Sequence, residues 1–226
     1  MFEGLVLLTE SAEQGALSRI LKSHRQDLTV RPVGGIDQLR SLEASLLRRA
    51  RLIAFASNTI VPPDLLAGLG YGAYNFHPGP PNYPGIAPTH FALYDGAAEF
   101  GVTLHAMAER VDTGVILDVA SFCLSENCSV LGLCELTYSE LLKLCVEWAD
   151  PLANRESLPT PRPAIPWSGR RNSRHNDRSI CDIPLDISED ELWRRMCVFG
   201  ASHYGISPTV NLHGVTFTAT FPAESS

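Results

Sequence analysis

The chain has 226 residues, of which 45% are hydrophobic and 19% charged, and its formal net charge is −7. This length allows one substantial core, and the composition is that of a globular protein rather than a disordered or a membrane protein. The negative charge argues against a protein whose main task is to grip a nucleic-acid backbone, because that task needs concentrated Lys and Arg.

Targeting signals and cysteine motifs give few positive indications. The apolar runs are short, and the start of the chain lacks the basic region of a secretion signal, so the expectation is a cytoplasmic protein without a membrane partner. The six cysteines form no Cys-x-x-Cys pair. We interpret them as reduced thiols that pack as small hydrophobes, and we expect no metal site.

The first third of the chain alternates strand patterns with helix patterns. The apolar run at residues 4–9 is typical of a buried strand, and Ser11 is positioned to cap a helix that reaches about Ser23. The pattern then predicts a strand at 28–33, a Leu-rich helix at 36–50, a strand at 52–56, a helix after Pro62-Pro63 and a strand at 72–77. Such alternation predicts a parallel α/β sheet.

The next segments complete this domain and lead into a different composition. A short helix is predicted at 88–94, two strands at 101–107 and 115–122, and a long amphipathic helix from Ser129 to Trp148. Prolines at 159, 161, 163 and 166 indicate an extended connector, and residues 169–180 are polar and Arg-rich. We therefore divide the chain into a catalytic domain at 1–160 and a linker with a small subdomain at 161–226.

The last segment predicts a small α+β extension. Ser188 and Glu191 resemble a capping box at a helix start, and short strands are predicted at 209–212 and 215–218.

One strand carries the side chains with the clearest chemistry. Asn75 and His77 are two residues apart, so an extended strand places both on one face. An amide can donate hydrogen bonds to an oxygen that gains charge, and an imidazole can take and deliver a proton near neutral pH. Asp112, if the fold brings it beside His77, would orient the ring and raise its basicity.

The same residues form an ordered set of motifs. These are Asn-x-His-Pro at 75–78, Pro-Gly at 84–85, Gly-Val-Thr-x-His at 101–105 and Asp-Thr-Gly at 112–114. In this set the chain resembles the 10-formyltetrahydrofolate-dependent formyltransferases, which include the sugar-nucleotide N-formyltransferases and the catalytic domain of methionyl-tRNA formyltransferase. The resemblance is clear from about residue 50 to residue 120. It implies a Rossmann-like, mostly parallel sheet flanked by helices.

The resemblance also implies roles for individual residues. Asn75 would hold the formyl oxygen, His77 would act as general acid and base, and Asp112 would position the imidazole and a water. His105 would have a structural or supporting role. The pterin of 10-formyltetrahydrofolate, the formyl donor, would enter between residues 57–61 and 107–111; its expected contacts are Asn58, Ile60, Met107, Glu109 and Val111.

Two segments are candidates for the acceptor site. Family members commonly carry Ser-Leu-Leu-Pro after the His-Pro, whereas this chain has a stiffer turn in which Pro81, Asn82 and Tyr83 are candidate substrate contacts. Arg170 and Arg171 are further candidates. They belong to an Arg-rich set that either clamps a diphosphate or forms a solvated loop, and its other members are Arg162, Arg174 and Arg178. Trp167 and Trp193 either stack on a nucleobase or anchor a small core.

The acceptor is chosen by elimination. Glu10 and Glu13 lie where a glycinamide ribonucleotide enzyme has a phosphate loop, and they would repel phosphate. The extension after 160 is too short and too mixed in charge to equal the tRNA-binding domain of a methionyl-tRNA enzyme. A nucleotide-linked amino sugar is therefore favoured, and nucleic acid is not.

Other activities stay open beside this one. Methionyl-tRNA and glycinamide ribonucleotide formyltransferase, formyltetrahydrofolate hydrolase and a non-catalytic folate-binding module are the alternatives. The resemblance is also compatible with a homodimer.

Overall fold

The computed structural model describes residues 2–157, 165–169, 171–200 and 207–219. Its elements in chain order are β1 (Gly4–Leu8), α1 (Ser11–His24), β2 (Thr29–Val33), α2 (Ile36–Arg40), α3 (Ala44–Leu47), β3 (Ala50–Phe55), α4 (Pro63–Gly68), β4 (Ala73–His77), α5 (Pro88–Tyr94), β5 (Glu99–Ala106), β6 (Ile116–Cys123), α6 (Val130–Asn154), α7 (Arg174–Cys181), α8 (Glu189–Phe199), β7 (Thr209–Leu212) and β8 (Val215–Thr218).

The main sheet has six strands in the order β2-β1-β3-β4-β5-β6. The first four strands are parallel, and β5 and β6 add antiparallel pairs at one side. Every residue of β1 and β3 is buried, as expected for central parallel strands that are covered on both faces. The predicted Rossmann-like α/β class with a small C-terminal α+β extension is confirmed.

Each face of the sheet has its own hydrophobic core. On one face the strands pack against α1 and α6, through side chains that include Leu17, Phe76, Leu141 and Trp148. On the other face they pack against the segment from α2 to α4, through side chains that include Leu39, Leu47 and Val61. β4 is therefore fixed by packing on both faces of the sheet, and its position in the sheet determines where the side chains at its carboxyl end project.

Two helix predictions were wrong in extent, and one helix was not predicted. The helix predicted at 36–50 is interrupted between α2 and α3, where the Ser41 hydroxyl donates to the Gln38 carbonyl at 2.7 Å, a local bond that competes with helix continuation. The long helix α6 continues to Asn154. The polar segment after 169 contains helix α7, which Ser173 and Asn176 start with a capping box.

The C-terminal extension packs against the main domain through α5. Phe199 at the end of α8 is fully buried, and its ring lies 5.8 Å from that of Tyr94 and 5.9 Å from that of Phe91. The Tyr94 hydroxyl donates to Glu191 at 2.5 Å, which ties α5 to the first turn of α8. The predicted domain boundary near 160 lies outside the described residues.

The cysteines are all free. Cys145 and Cys181 are buried, as predicted for packed thiols, and burial raises the pKa of Cys145 to about 12. Cys123, Cys134 and Cys197 are exposed instead, which corrects the prediction for these three. Among the described residues, no helix combines the length and the apolar character needed to span a membrane.

Candidate active site

Asn75 and His77 project from the carboxyl end of β4 on the same face. Phe76 between them points into the core on the opposite face and is fully buried. β5 runs antiparallel beside this strand, and its register sets His105 directly opposite Asn75 and Thr103 opposite His77. A register shift at Leu104/His105 lies next to this point, as bulges often do beside active sites.

Asp112 reaches these side chains from the loop that joins β5 to β6. Its backbone has a φ of 52°, in the left-handed region. Gly114 allows the loop to pass close to the end of β5, because a Cβ there would lie 1.8 Å from the Ala106 carbonyl oxygen. The Thr113 hydroxyl closes the turn by donating to the Arg110 carbonyl at 2.8 Å. Each residue of the Asp-Thr-Gly motif thus has a separate structural task.

The Asp112 carboxylate lies between the two imidazoles. One oxygen, Oδ2, is 3.6 Å from His77 Nδ1 and accepts a 2.7 Å hydrogen bond from the Gly85 N–H. The other oxygen, Oδ1, is 3.3 Å from His105 Nε2. Burial favours a raised pKa, but the attraction of His77 and His105 and the hydrogen bond from Gly85 outweigh it, so the pKa of Asp112 falls to about 2. The carboxylate is ionised at neutral pH.

The hydrogen bonds of His77 define which nitrogen can take a proton. Nε2 lies 3.2 Å from the Tyr83 carbonyl oxygen, and a carbonyl only accepts, so Nε2–H donates to it. In the neutral ring Nδ1 is then the basic nitrogen, and it faces Asp112. Burial lowers the pKa of His77 below its usual range, an effect that nearby Asp112 opposes. His77 is therefore a neutral base at neutral pH.

His105 is more central than its predicted structural or supporting role suggested. Its Nδ1 donates to the Ala106 carbonyl at 2.9 Å, so in the neutral ring Nε2 can accept a hydrogen bond. The Asn75 amide donates to this Nε2 at 3.1 Å. An amide nitrogen carries two hydrogens, and the second remains available for a ligand oxygen. His105 thereby fixes the direction in which Asn75 can donate.

A cavity of about 440 Å³ opens beside these groups. All three residues predicted to be catalytic line it: Asn75, His77 and Asp112. All five residues predicted to hold the donor line it as well: Asn58, Ile60, Met107, Glu109 and Val111. The fold therefore brings the two predicted groups into one space.

The residues predicted to bind the acceptor have different positions. Arg171 lines the cavity, as does Arg174 from the same Arg-rich set, whereas Arg170 lies outside the described residues. Pro81, Asn82 and Tyr83 do not line the cavity, and Tyr83 contacts His77 through its carbonyl oxygen. Their loop therefore contacts the site through His77 and not through the wall of the cavity.

Some lining residues carried no predicted role. They include Leu66, Arg110 and the segment from Gly85 to Pro88. The Pro-Gly turn was a visible signal for that segment, since Gly85 has a φ of +98° and its N–H binds Asp112. The Gly-Val-Thr-x-His motif marked His105, but its central position depends on the register between β4 and β5, which no local pattern shows.

The part of the chain that carries this site matches a protein family. A half-buried Asn, a buried His and a buried Asp face one cavity, and the motifs that contain them are those in which the chain resembles the 10-formyltetrahydrofolate-dependent formyltransferases. That resemblance is confirmed, because residues 38–130 match the family described as formyl transferase.

Individual relatives show how far the similarity extends. Over 93 residues the chain is 38% identical to methionyl-tRNA formyltransferase of Listeria innocua, an alignment that covers 41% of this chain and 28% of that protein. The chain thus spans less than a third of the length of this curated relative.

Solved structures match over nearly the whole chain at low identity. A sugar N-formyltransferase from a Shewanella species gives a TM-score of 0.78 with 16% identity, covering 100% of this chain and 99% of that one. An N-formyltransferase from Helicobacter canadensis, solved with folinic acid and dTDP-3-aminofucose, gives 0.66 with 18% identity, covering 95% and 85%. At these identities the similarity establishes the fold.

Proposed function

We propose that this protein transfers the formyl group of 10-formyltetrahydrofolate to a primary amine, most favourably that of an amino sugar linked to a nucleotide. The observation that carries the proposal is the meeting of Asn75, His77 and Asp112 at one end of a single cavity. They supply an oxyanion donor, a neutral base and an ionised partner for that base.

The cavity suits the donor in size and in lining. Its volume of about 440 Å³ falls within the range of roughly 300–1,000 Å³ that is usual for small-molecule sites. Ile60, Val61, Met107 and Val111 give it apolar walls. Backbone groups of the loops that carry these residues would bind the edge of a pterin. When 10-formyltetrahydrofolate is bound, it supplies an activated formyl carbon.

Residues of this chain then transfer the amine proton and stabilise the negative charge that develops on the formyl oxygen. As the amine attacks the formyl carbon, the free N–H of the Asn75 amide donates to the oxygen that gains charge. His77 takes the amine proton on Nδ1, where the Asp112 carboxylate stabilises the imidazolium. His77 finally delivers that proton to the departing nitrogen of the folate, and the neutral ring is restored.

Positive charge at the cavity supports an acceptor that carries phosphate. Arg110, Arg171 and Arg174 line the cavity together with Glu109, although the chain as a whole carries a net charge of −7. Guanidinium groups bind phosphate oxygens in pairs, so a nucleoside diphosphate linked to an amino sugar matches this lining. The Helicobacter canadensis N-formyltransferase was solved with dTDP-3-aminofucose, an acceptor of that chemistry.

Initiator methionyl-tRNA is the second candidate acceptor. The curated relative from Listeria innocua is named as a methionyl-tRNA formyltransferase, and the aligned part is more similar in sequence than any of the structures described above. The acidic net charge of this chain weighs against a large RNA ligand.

Tetrahydrofolate formation, followed by absorbance, tests the proposal. The donor is supplied with nucleotide-linked 3-amino and 4-amino sugars, glycinamide ribonucleotide or methionyl-tRNA. We expect turnover with an amino sugar, and we expect His77→Asn and Asp112→Asn each to lower kcat by about 10²–10⁴-fold, as loss of acid–base catalysis does.

His24→Asn is the matched control, because His24 lies at the end of α1 and does not line the cavity. It should retain full turnover. Undiminished turnover in the His77 and Asp112 variants would refute the proposed roles. Turnover with methionyl-tRNA alone would transfer the assignment to the second acceptor.

A further inference from the structure

The chain returns to the active site after the connector, in a segment that sequence motifs do not mark. This return segment comprises residues 165–169 and 171–172. The Ser168 N–H donates to the Pro81 carbonyl at 3.0 Å, and the Ser168 hydroxyl donates to the Asn82 carbonyl at 3.2 Å. The Asn172 N–H donates to the Pro84 carbonyl at 2.8 Å. The return segment is therefore bonded along the loop that follows His77.

The local sequence makes this close approach possible. A Cβ at Gly85 would lie 2.0 Å from the Asn172 carbonyl oxygen, so only glycine allows the two backbones to pair here. The same Gly85 donates its N–H to Asp112. One residue thus couples the return segment to the carboxylate of the site.

Trp167 is the side chain that this segment delivers. Its indole N–H donates to the Gly114 carbonyl at 2.8 Å, which anchors it to the Asp-Thr-Gly loop. Its ring centroid lies 5.0 Å from that of His105 and 5.9 Å from that of His77, both in edge-to-face geometry. Trp167 does not line the cavity, so it contacts the two imidazoles from outside the cavity.

An indole in this position replaces water around both rings. Desolvation disfavours a charged imidazole and shifts the pKa of a fully buried group by up to about 3–5 units. An aromatic ring beside an imidazolium also attracts it, but that attraction is the smaller effect because water solvates a cation more strongly. Among the residues that the structure describes, the other charged or titratable groups near His77 are Asp112, His105 and, at the cavity, Glu109, Arg110, Arg171 and Arg174.

We propose that Trp167 is a positioning residue which keeps water from His77 and His105, so that His77 serves as a neutral base for an amine and water does not take the formyl group. This inference rests on the proposed formyl transfer and deepens it. In the competing reaction, a water oxygen bonds to the formyl carbon, the bond from that carbon to the folate nitrogen breaks, and a water proton goes to that nitrogen. The products are formate and tetrahydrofolate.

Two variants separate this role from a merely structural one. Trp167→Ala removes the aromatic ring beside the two histidines. Trp167→Phe keeps an aromatic ring there but removes the indole N–H. With the best acceptor, we expect Trp167→Ala to release severalfold more formate per formyl group transferred, and the acidic limb of its kcat/KM profile to move to higher pH. Trp167→Phe should restore both properties most of the way. Trp193→Ala, on the exposed face of α8, should leave both unchanged.

A titration of the imidazoles by nitrogen-15 NMR gives a readout that needs no turnover. The pKa of His77 should rise in Trp167→Ala and stay close to that of the unaltered protein in Trp167→Phe. If Trp167→Ala is less stable but leaves the His77 titration and the formate fraction unchanged, Trp167 only supports the fold and the inference is wrong. If the unaltered protein formylates no amine, the proposed function fails, and the NMR titration alone decides the role of Trp167.

Discussion

Asp112 is the residue on which the separate sequence motifs converge. It binds His77 of the Asn-x-His-Pro motif, His105 of the Gly-Val-Thr-x-His motif and the N–H of Gly85 in the Pro-Gly turn. Its own motif supplies Gly114, which lets the loop approach the sheet. The motifs are separate in sequence, but in the structure they meet around this one buried carboxylate.

Gly79 is a second position where the site requires the absence of a side chain. A Cβ there would lie 2.7 Å from His77 Nε2 and 2.6 Å from the Pro88 Cβ. Gly79→Ala should therefore displace the imidazole and lower kcat by about 10²-fold, the loss that a misplacement of about 1 Å can cause. Binding of 5-formyltetrahydrofolate, measured by calorimetry, should change little, since Gly79 does not line the cavity.

Gly68→Ala is the matched control for this substitution. Gly68 ends α4, and no atom lies within 4 Å of the position that its Cβ would take. Its turnover should equal that of the unaltered protein. Equal turnover in Gly79→Ala would show that the loop yields to the methyl group and that the position of His77 is not so tightly fixed.

At the scale of elements, Arg51 connects the sheet to the end of the longest helix. This fully buried guanidinium on β3 donates to the carbonyls of Leu152 at 2.5 Å, Arg155 at 2.7 Å and Tyr71 at 3.1 Å. The last carbonyls of a helix have no partner within it, and here Arg51 satisfies that of Leu152 in the last turn of α6 and that of Arg155 just beyond the helix. It fixes α6 across the sheet that carries the site.

Arg51→Met should lower the free energy of unfolding by about 3 kcal/mol, because it leaves one buried and two partly buried carbonyls without this donor, and each buried unsatisfied group costs about 1–3 kcal/mol. Urea denaturation measures this change. Arg49→Met is the control, since Arg49 pairs with Glu3 at 3.1 Å with both side chains about half exposed. Such a pair contributes at most about 1 kcal/mol. Similar losses in both variants would contradict the capping role of Arg51.

Elements formed by local patterns could be predicted, and those formed by distant contacts could not. The period of β4 was enough to place Asn75 and His77 on one face, and the apolar runs were enough to identify β1 and β3. The break between α2 and α3 depends on a serine hydroxyl that competes with the helix. The return segment depends on backbone bonds to a loop more than 80 positions earlier, such as the bond from the Ser168 N–H to the Pro81 carbonyl. No local pattern encodes such a pairing, so the role of Trp167 at the site required the structure.

At the scale of the whole molecule, burial of the site should make stability depend on pH. In the folded protein, burial lowers the pKa of His77 below its usual 6.5. Below pH 6.5 the unfolded chain binds a proton at His77, whereas the folded site resists protonation. The stability that His77 contributes is therefore present above pH 6.5 and is lost as the pH falls toward the pKa of His77 in the folded protein. Asp112, with a folded pKa of about 2 against 3.8 when exposed, adds a similar loss only at lower pH.

Urea denaturation between pH 7.5 and 5 should therefore show a steeper loss of stability for the unaltered protein than for His77→Gln. His24→Gln is the control, because His24 is partly exposed at the end of α1 and should keep the steep dependence. Parallel curves for the unaltered protein and His77→Gln would contradict the neutral, water-excluded state of His77.

The central claim is that His77, Asn75 and Asp112 transfer a formyl group from folate to an amine. The most direct measurement follows 10-formyltetrahydrofolate labelled with carbon-13 in the formyl group, incubated with a nucleotide-linked amino sugar and the protein. We predict that the label appears in the formamide of the sugar, and that His77→Asn leaves it on the folate. Label released as formate by the unaltered protein, or transfer at an equal rate by His77→Asn, would contradict the claim.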